Sequence, residues 1–195
     1  MKTRVLGFLC STVVALPALA ALEPGDTAPM FEAKASLNGE AFDYSLADAL
    51  EDGTVVVYFY PSAYTQGCNM QAREFAENME AFNAAGATVV GVSLDSIERL
   101  NDFSADPEYC AGKLPVASDE SGEIARSFGV NVMDAREGAV DTRGVEIDHG
   151  FAERLTFIVT PDGKVAETIG GRGVSPIDNV QQSLEVVKRL QHSAH

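Results

Sequence analysis

Thr54-Val55-Val56-Val57-Tyr58-Phe59-Tyr60, followed at once by Pro61-Ser62-Ala63-Tyr64-Thr65-Gln66-Gly67-Cys68, is the stretch on which the fold turns. Every residue of the first run is β-branched or aromatic, the composition of a strand buried on both faces. After Cys68, apolar residues recur at Phe75, Met79 and Phe82. That spacing predicts a helix beginning near Asn69. Cys68 is therefore expected in or beside the first turn of a helix, at the carboxyl end of a parallel-sheet strand, where open α/β sheets carry their sites. Free backbone N–H groups and the positive dipole end favour an anion there, which suits a thiolate nucleophile. The other reading of such a residue is a buried structural cysteine.

Ahead of this core, Lys2 and Arg4 precede an apolar stretch from Val5 to Leu16, and Ala18-Leu19-Ala20 supplies small residues. The segment reads as a secretory signal peptide cleaved after Ala20, which predicts a periplasmic or secreted protein. Its apolar run is short for a membrane span and is followed by Pro17. Cys10 leaves with it, so residues 21–195 keep Cys68 and Cys110 of the three cysteines. In an oxidising compartment an even pair fits either a disulfide staple or a pair kept for chemistry. The net charge of −15 falls by two more without Lys2 and Arg4. An acidic surface of this kind repels nucleic acid and anionic membranes, and neither is expected as a partner.

The remaining elements alternate within a single domain. Strands at 31–36 and 40–44 flank Asn38-Gly39, a hairpin signal. Residues 45–50 suit a short helix, and Gly86 is placed to end the Cys68 helix. A second apolar strand spans 88–93. Asp95 and Glu98 look like a capping pair for a helix carrying Ile97, Leu100 and Phe103. A strand near 114–117 precedes a helix opened by Ser121 and stopped at Gly129. Strands at 155–160 and 164–169 flank Pro161-Asp162-Gly163, a second hairpin. Ser175-Pro176 opens a last amphipathic helix through Val180, Leu184 and Val187. The pattern is α/β: a mixed sheet covered by helices on both faces, with an N-terminal hairpin. Residues 134–150 are polar and aperiodic, and read as a long, flexible loop.

Several of these residues carry a family resemblance. Tyr58-Phe59-Tyr60-Pro61 with Thr65 and Cys68 resembles the P-x-x-x-T-x-x-C signature of peroxiredoxins. Arg154-Leu155-Thr156-Phe157-Ile158-Val159 with Pro161-Asp162-Gly163 is similar to the family's arginine-bearing strand and turn. Gly91-Val92-Ser93, Asp95-Ser96, Pro115 and Ser118-Asp119 fall where such proteins place them. The likeness covers most of residues 22–190 and points to the bacterioferritin-comigratory-protein branch. It implies a thioredoxin-like fold and a thiol-dependent peroxidase acting on hydrogen peroxide or organic hydroperoxides. Cys68 would be the attacking cysteine and pass through a sulfenic acid. Thr65 would align the peroxide, Pro61 would shape and shield the pocket, and Arg154 would stabilise the thiolate and the developing oxyanion. No metal or other cofactor is implied. The reductant would be a thioredoxin-like or other dithiol protein, and the chain a monomer or weak homodimer.

Two departures stand out. Many members of that branch carry a second cysteine five residues after the first, where this chain has Arg73. The resolving role then falls to Cys110 or to an outside thiol; by analogy with relatives whose resolving cysteine lies further on, the resemblance favours Cys110, which requires the Cys68 helix to loosen. The long 134–150 segment is the second departure. For each site residue a plainer role stands beside this one: Thr65 as a helix cap, Pro61 as a strand stop, Arg154 paired with Glu153. His149 reads as a solvated loop residue. Among other functions, a thiol–disulfide oxidoreductase would need C-x-x-C, and the position three before Cys68 is Thr65. A non-catalytic thioredoxin-like binding module would hold Cys68–Cys110 as a static disulfide.

Overall fold

The computed structural model of the protein describes residues 20–193. Apart from Ala20, the signal-peptide reading lies outside them. The hairpin forms from β1 (Glu32–Leu37) and β2 (Glu40–Ser45), and Asn38 and Gly39 both adopt positive φ, 51° and 83°, as a two-residue turn of this hand requires. Next come α1 (Leu46–Asp52), with Ser45 accepting from the Asp48 N–H, and β3 (Thr54–Phe59). They are followed by α2 (Gln66–Ala84), β4 (Ala87–Ser93), α3 (Ile97–Ala105), β5 (Val116–Ser118) and α4 (Glu123–Ser127). The chain ends with β6 (Val132–Met133), β7 (Phe151–Ala152), β8 (Leu155–Val159), β9 (Val165–Gly170) and α5 (Pro176–Ser193).

Seven strands make one mixed sheet in the order β2-β1-β5-β4-β3-β8-β9, and β6 pairs with β7 separately. β3 is central, as its composition predicts, but only one neighbour is parallel. β4 runs alongside it and β8 runs against it. Its side chains alternate between two cores. Val56 and Tyr58 face α2, α3 and α5, while Val55, Val57 and Phe59 face α1 and α4. Helices therefore cover both faces, and the α/β, thioredoxin-like expectation holds.

The pairing directions decide what meets at the end of β3. Because β8 is antiparallel, its first residue, Leu155, lies across from Phe59, the last of β3. Arg154 is thereby delivered to the edge where the chain turns toward Cys68. Because β4 is parallel, Phe59 aligns with Val92, and Ser93 and Asp95 follow at the same edge. Two local expectations need correction. The cap of α3 is Ser96, whose hydroxyl accepts from the Arg99 N–H, and Asp95 is drawn into the interior instead. At the start of α4, Ser121 accepts from the Glu123 N–H as expected, but Asp119 shares the role, accepting from the Ile124 and Ala125 N–H groups.

Candidate active site

Cys68 is the third residue of α2, so it sits in the first turn among N–H groups that no earlier residue of the helix satisfies. Its side chain is buried, 2% exposed, yet one cation reaches it. The Nη2 of Arg154 donates to Cys68 Sγ at 3.2 Å. Gly67 makes room for that approach, since a Cβ there would lie 3.3 Å from Arg154 Nη2. Arg154 therefore pairs with the cysteine, not with Glu153. Thr65 occupies the N-cap position but makes no capping bond. Its hydroxyl donates to the Ser62 carbonyl at 2.8 Å, which leaves its oxygen lone pairs free to accept. Pro61 is half-buried at the exit from β3.

Arg154 is itself held. Its Nη1 donates to Gln71 Oε1, one turn along α2 from Cys68. Gln71 in turn donates to Asn179 Oδ1 at 2.9 Å, an atom that also accepts from Thr156 at 2.7 Å. Asn179 passes the chain on to the Ile169 carbonyl. Gln71 and Asn179 are almost wholly buried polar residues on helix faces that are mostly apolar. A polar residue on the buried stripe of α2 or α5 is a signal the sequence carries, and these two positions were not singled out from it.

On the other flank, Asp95 is a fully buried carboxylate at the end of β4. Its Oδ1 accepts from Ser62 (2.9 Å) and His149 Nε2 (2.9 Å), and lies 2.8 Å from Arg99 Nε. Oδ2 accepts from the Ala63 N–H (2.8 Å) and Ser93 (2.7 Å). Burial alone would push this carboxyl up; the bonds from His149, Ser93 and Ala63 outweigh it and hold the group below the ordinary carboxylate value. Both ring nitrogens of His149 face acceptors, Asp95 and the Gly150 carbonyl (2.7 Å), so the ring carries both protons when both bonds form. Burial opposes that charge, and the Asp95 carboxylate prevails, raising His149 above its ordinary value. His149 is thus a half-buried anchor, contrary to the solvated residue expected.

Cys110 lies in the turn after α3 and is completely buried in the same core as Cys68. Both thiols are free. Burial, with Asp106 adding to it, pushes the Cys110 thiol well up, so in this conformation it is protonated and a weak nucleophile. Tyr58 lies in that core as well, and burial pushes its phenol up.

The 134–150 segment does not hang free. Its base is closed by β6 and β7, its tip folds back through the Val140–Glu146 bridge, and Ile147 is buried. From the tip, Thr142 donates twice to the Tyr64 carbonyl, through N (2.9 Å) and Oγ1 (2.8 Å). Arg143 lays its guanidinium 3.3 Å above the Tyr64 ring. Tyr64 has φ +61°, a left-handed conformation that costs a residue of its kind ~1–2 kcal/mol. It persists because the surroundings over-determine it. No metal-binding cluster occurs among the described residues.

The chain is similar to known proteins over most of its length. The family model for the AhpC/TSA family matches residues 24–168. Peroxiredoxin Bcp of Escherichia coli is 34% identical over 144 residues, 74% of this chain and 83% of that protein. The chloroplastic 2-Cys peroxiredoxin of Hordeum vulgare is 28% identical over 178 residues, 86% of this chain and 75% of its own. Among solved structures, the peroxidoxin BcpB of Mycobacterium tuberculosis superposes with a TM-score of 0.71 at 27% identity, covering 87% of this chain and 98% of that one.

Proposed function

The chain belongs to the AhpC/TSA family, as a Bcp-like peroxiredoxin, and on that premise we propose that Cys68 is the residue through which it reduces peroxides. Peroxiredoxins are thiol-dependent peroxidases, and the observation that carries the assignment here is the Arg154 guanidinium donating to Cys68 Sγ at 3.2 Å in the first turn of α2. The thiolate attacks one peroxide oxygen; the O–O bond breaks and the other oxygen leaves as hydroxide or alkoxide, which takes up a proton. Cys68 is oxidised to the sulfenic acid and the peroxide is reduced to water or an alcohol. Thr65, with its proton committed to Ser62, accepts from the peroxide O–H and sets its angle. Arg154 stabilises first the thiolate and then the charge on the departing oxygen, oriented throughout by Gln71. Pro61 narrows the pocket and limits water.

Cys110 then resolves the sulfenic acid: its thiol sulfur bonds to Cys68 Sγ and water leaves. Both sulfurs are buried on separate elements, so the helix start and the Cys110 turn must part from their packing first. An external dithiol, thioredoxin-like in chemistry, takes the disulfide back to two thiols and is itself oxidised. The Lys2–Ala20 leader pattern supports a periplasmic or secreted site of action. The chain works as a monomer or weak homodimer, without nucleic-acid or membrane partners, in keeping with its acidic surface.

The test is peroxide consumption by the fully reduced protein in a single turnover, beside Cys68→Ser and Cys110→Ser. Rapid consumption abolished by Cys68→Ser and retained in Cys110→Ser, with a Cys68–Cys110 peptide found only in oxidised wild type, is the expected result. Equal, slow consumption by all three proteins refutes the peroxidase reading of this site. An intact disulfide that mild reductant leaves alone would favour the binding module.

A further inference from the structure

The 134–150 segment, tied to the scaffold through Arg99 and Asp95, also reaches the loop that precedes Cys68 and grips it at its one left-handed residue, Tyr64. Ser62 and Ala63 are fixed from the scaffold side: the Ala63 N–H by Asp95, the Ala63 carbonyl by Arg99 Nη2 at 3.0 Å. The next carbonyl, that of Tyr64, is held only from the segment, by the two donors of Thr142. Asn69, beside Cys68, adds a long contact to Thr142 Oγ1 at 3.4 Å. The grip is stiff because Asp141 anchors both cations. Its Oδ2 accepts from Arg99 Nη2 (2.8 Å) and from Arg143 Nη2 (2.9 Å), and its Oδ1 accepts from the Arg143 and Val145 N–H groups.

The Tyr64 ring links this grip to the second cysteine. It lies beneath Arg143, and its inner side packs edge-on against Phe103 (5.0 Å) and Tyr109 (5.8 Å), the residue before Cys110. Moving Tyr64 therefore disturbs the approach to both sulfurs at once. A strained residue relaxes as the contacts that hold it are removed, and two of those on Tyr64, the Thr142 hydroxyl and the Arg143 guanidinium, are side chains.

Resting on the assignment of Cys68 above, we propose that Thr142 and Arg143 are positioning residues that clamp Tyr64 in its left-handed conformation, so holding Cys68 in the geometry that attacks peroxide, and that release of this clamp opens the way for the sulfenic acid to reach its resolving thiol. The clamp favours the first chemical step and opposes the second. Loosening it slows attack and speeds resolution, a pair of opposite changes that general destabilisation does not produce.

The experiment uses the purified protein with Thr142→Val, Arg143→Gln, the double variant, and Arg143→Lys as the conservative control. Three quantities are read: the second-order rate of Cys68 oxidation by hydrogen peroxide, the later rate of disulfide formation, and amide hydrogen exchange over residues 62–70. The double variant is expected to lose about tenfold in the first rate and gain about tenfold in the second, as for the loss of a hydrogen bond and a cation–π contact. Exchange over residues 63–68 should rise by a similar factor, and Arg143→Lys should recover part of each change. Unchanged exchange, or rates that move in the same direction, overturns the clamp. If wild type forms no Cys68–Cys110 disulfide, the role of Cys110 fails on its own, and the attack rate and exchange still decide the clamp.

Discussion

Replacing Arg154 by Gln removes the one cation that donates to Cys68 Sγ among the described residues, and the size of the effect can be worked from the geometry. At 3.2 Å, a unit charge pair at an effective dielectric constant of ~20 attracts by about 5 kcal/mol. Arg154 is partly exposed, so solvent screens some of that, and the net value of a charge-assisted hydrogen bond is ~1.5–3 kcal/mol. With ~1.4 kcal/mol per decade of rate, Arg154→Gln should slow peroxide attack by about 10- to 100-fold. Arg154→Lys should fall between, because an ammonium on a flexible stem cannot fork between Cys68 and Gln71 as a planar guanidinium does. Gln71→Leu keeps the charge and removes its anchor, so its loss should be smaller than that of Arg154→Gln. The assay is stopped-flow oxidation of pre-reduced protein by hydrogen peroxide, which excludes the reductant steps. An Arg154→Gln rate within about threefold of wild type would refute the electrostatic role, since even the weakest estimate exceeds that.

His149→Gln should cost stability in a pH-dependent way. The folded value of His149 is raised above 6.5, so its contribution is fully present below pH 6.5 and is lost as pH rises through the folded value. Denaturant titrations at a series of pH values should show the gap between wild type and variant closing as the medium becomes alkaline; a gap that widens would contradict the Asp95–His149 pairing. Gly91→Ala should destabilise, because its Cβ would lie 2.6 Å from Tyr58 Cζ and Oη while that ring is stacked on Phe75 at 4.5 Å. Overpacking of this kind costs ~1–3 kcal/mol, a fall in Tm of roughly 2–12 °C at this chain length, and an unchanged melt would show that Tyr58 yields freely.

Local patterns in the sequence were enough for the central strand, the α2 helix, both hairpins and the Ser175-Pro176 start of α5. Each depends on periodicity or on turn chemistry acting over two to four residues. The placement of Cys68 was legible for the same reason: it stands at a strand-to-helix junction that the flanking composition defines by itself. Thr65 and Pro61 came with the signature, and Arg154 with the resemblance of its strand. What remained hidden was everything fixed by pairing direction and side-chain reach. Asp95 looked like a cap, since the sequence places it one residue before Ser96; only the parallel β3–β4 pairing buries it against Ser62 and Ala63. His149 and the 134–150 segment looked like solvated loop, because polar residues without a period carry no sign of what they will bind.

From sequence alone, then, came the α/β class, the order of the main elements and the place of Cys68 at a strand-to-helix junction, because those are written in short-range spacing. The tertiary structure decided which groups surround that cysteine. Arg154 meets Cys68 across 86 residues, Gln71 meets Arg154 across 83, and Thr142 meets Tyr64 across 78. Such contacts follow from strand direction and from where a loop closes, and no local propensity encodes either.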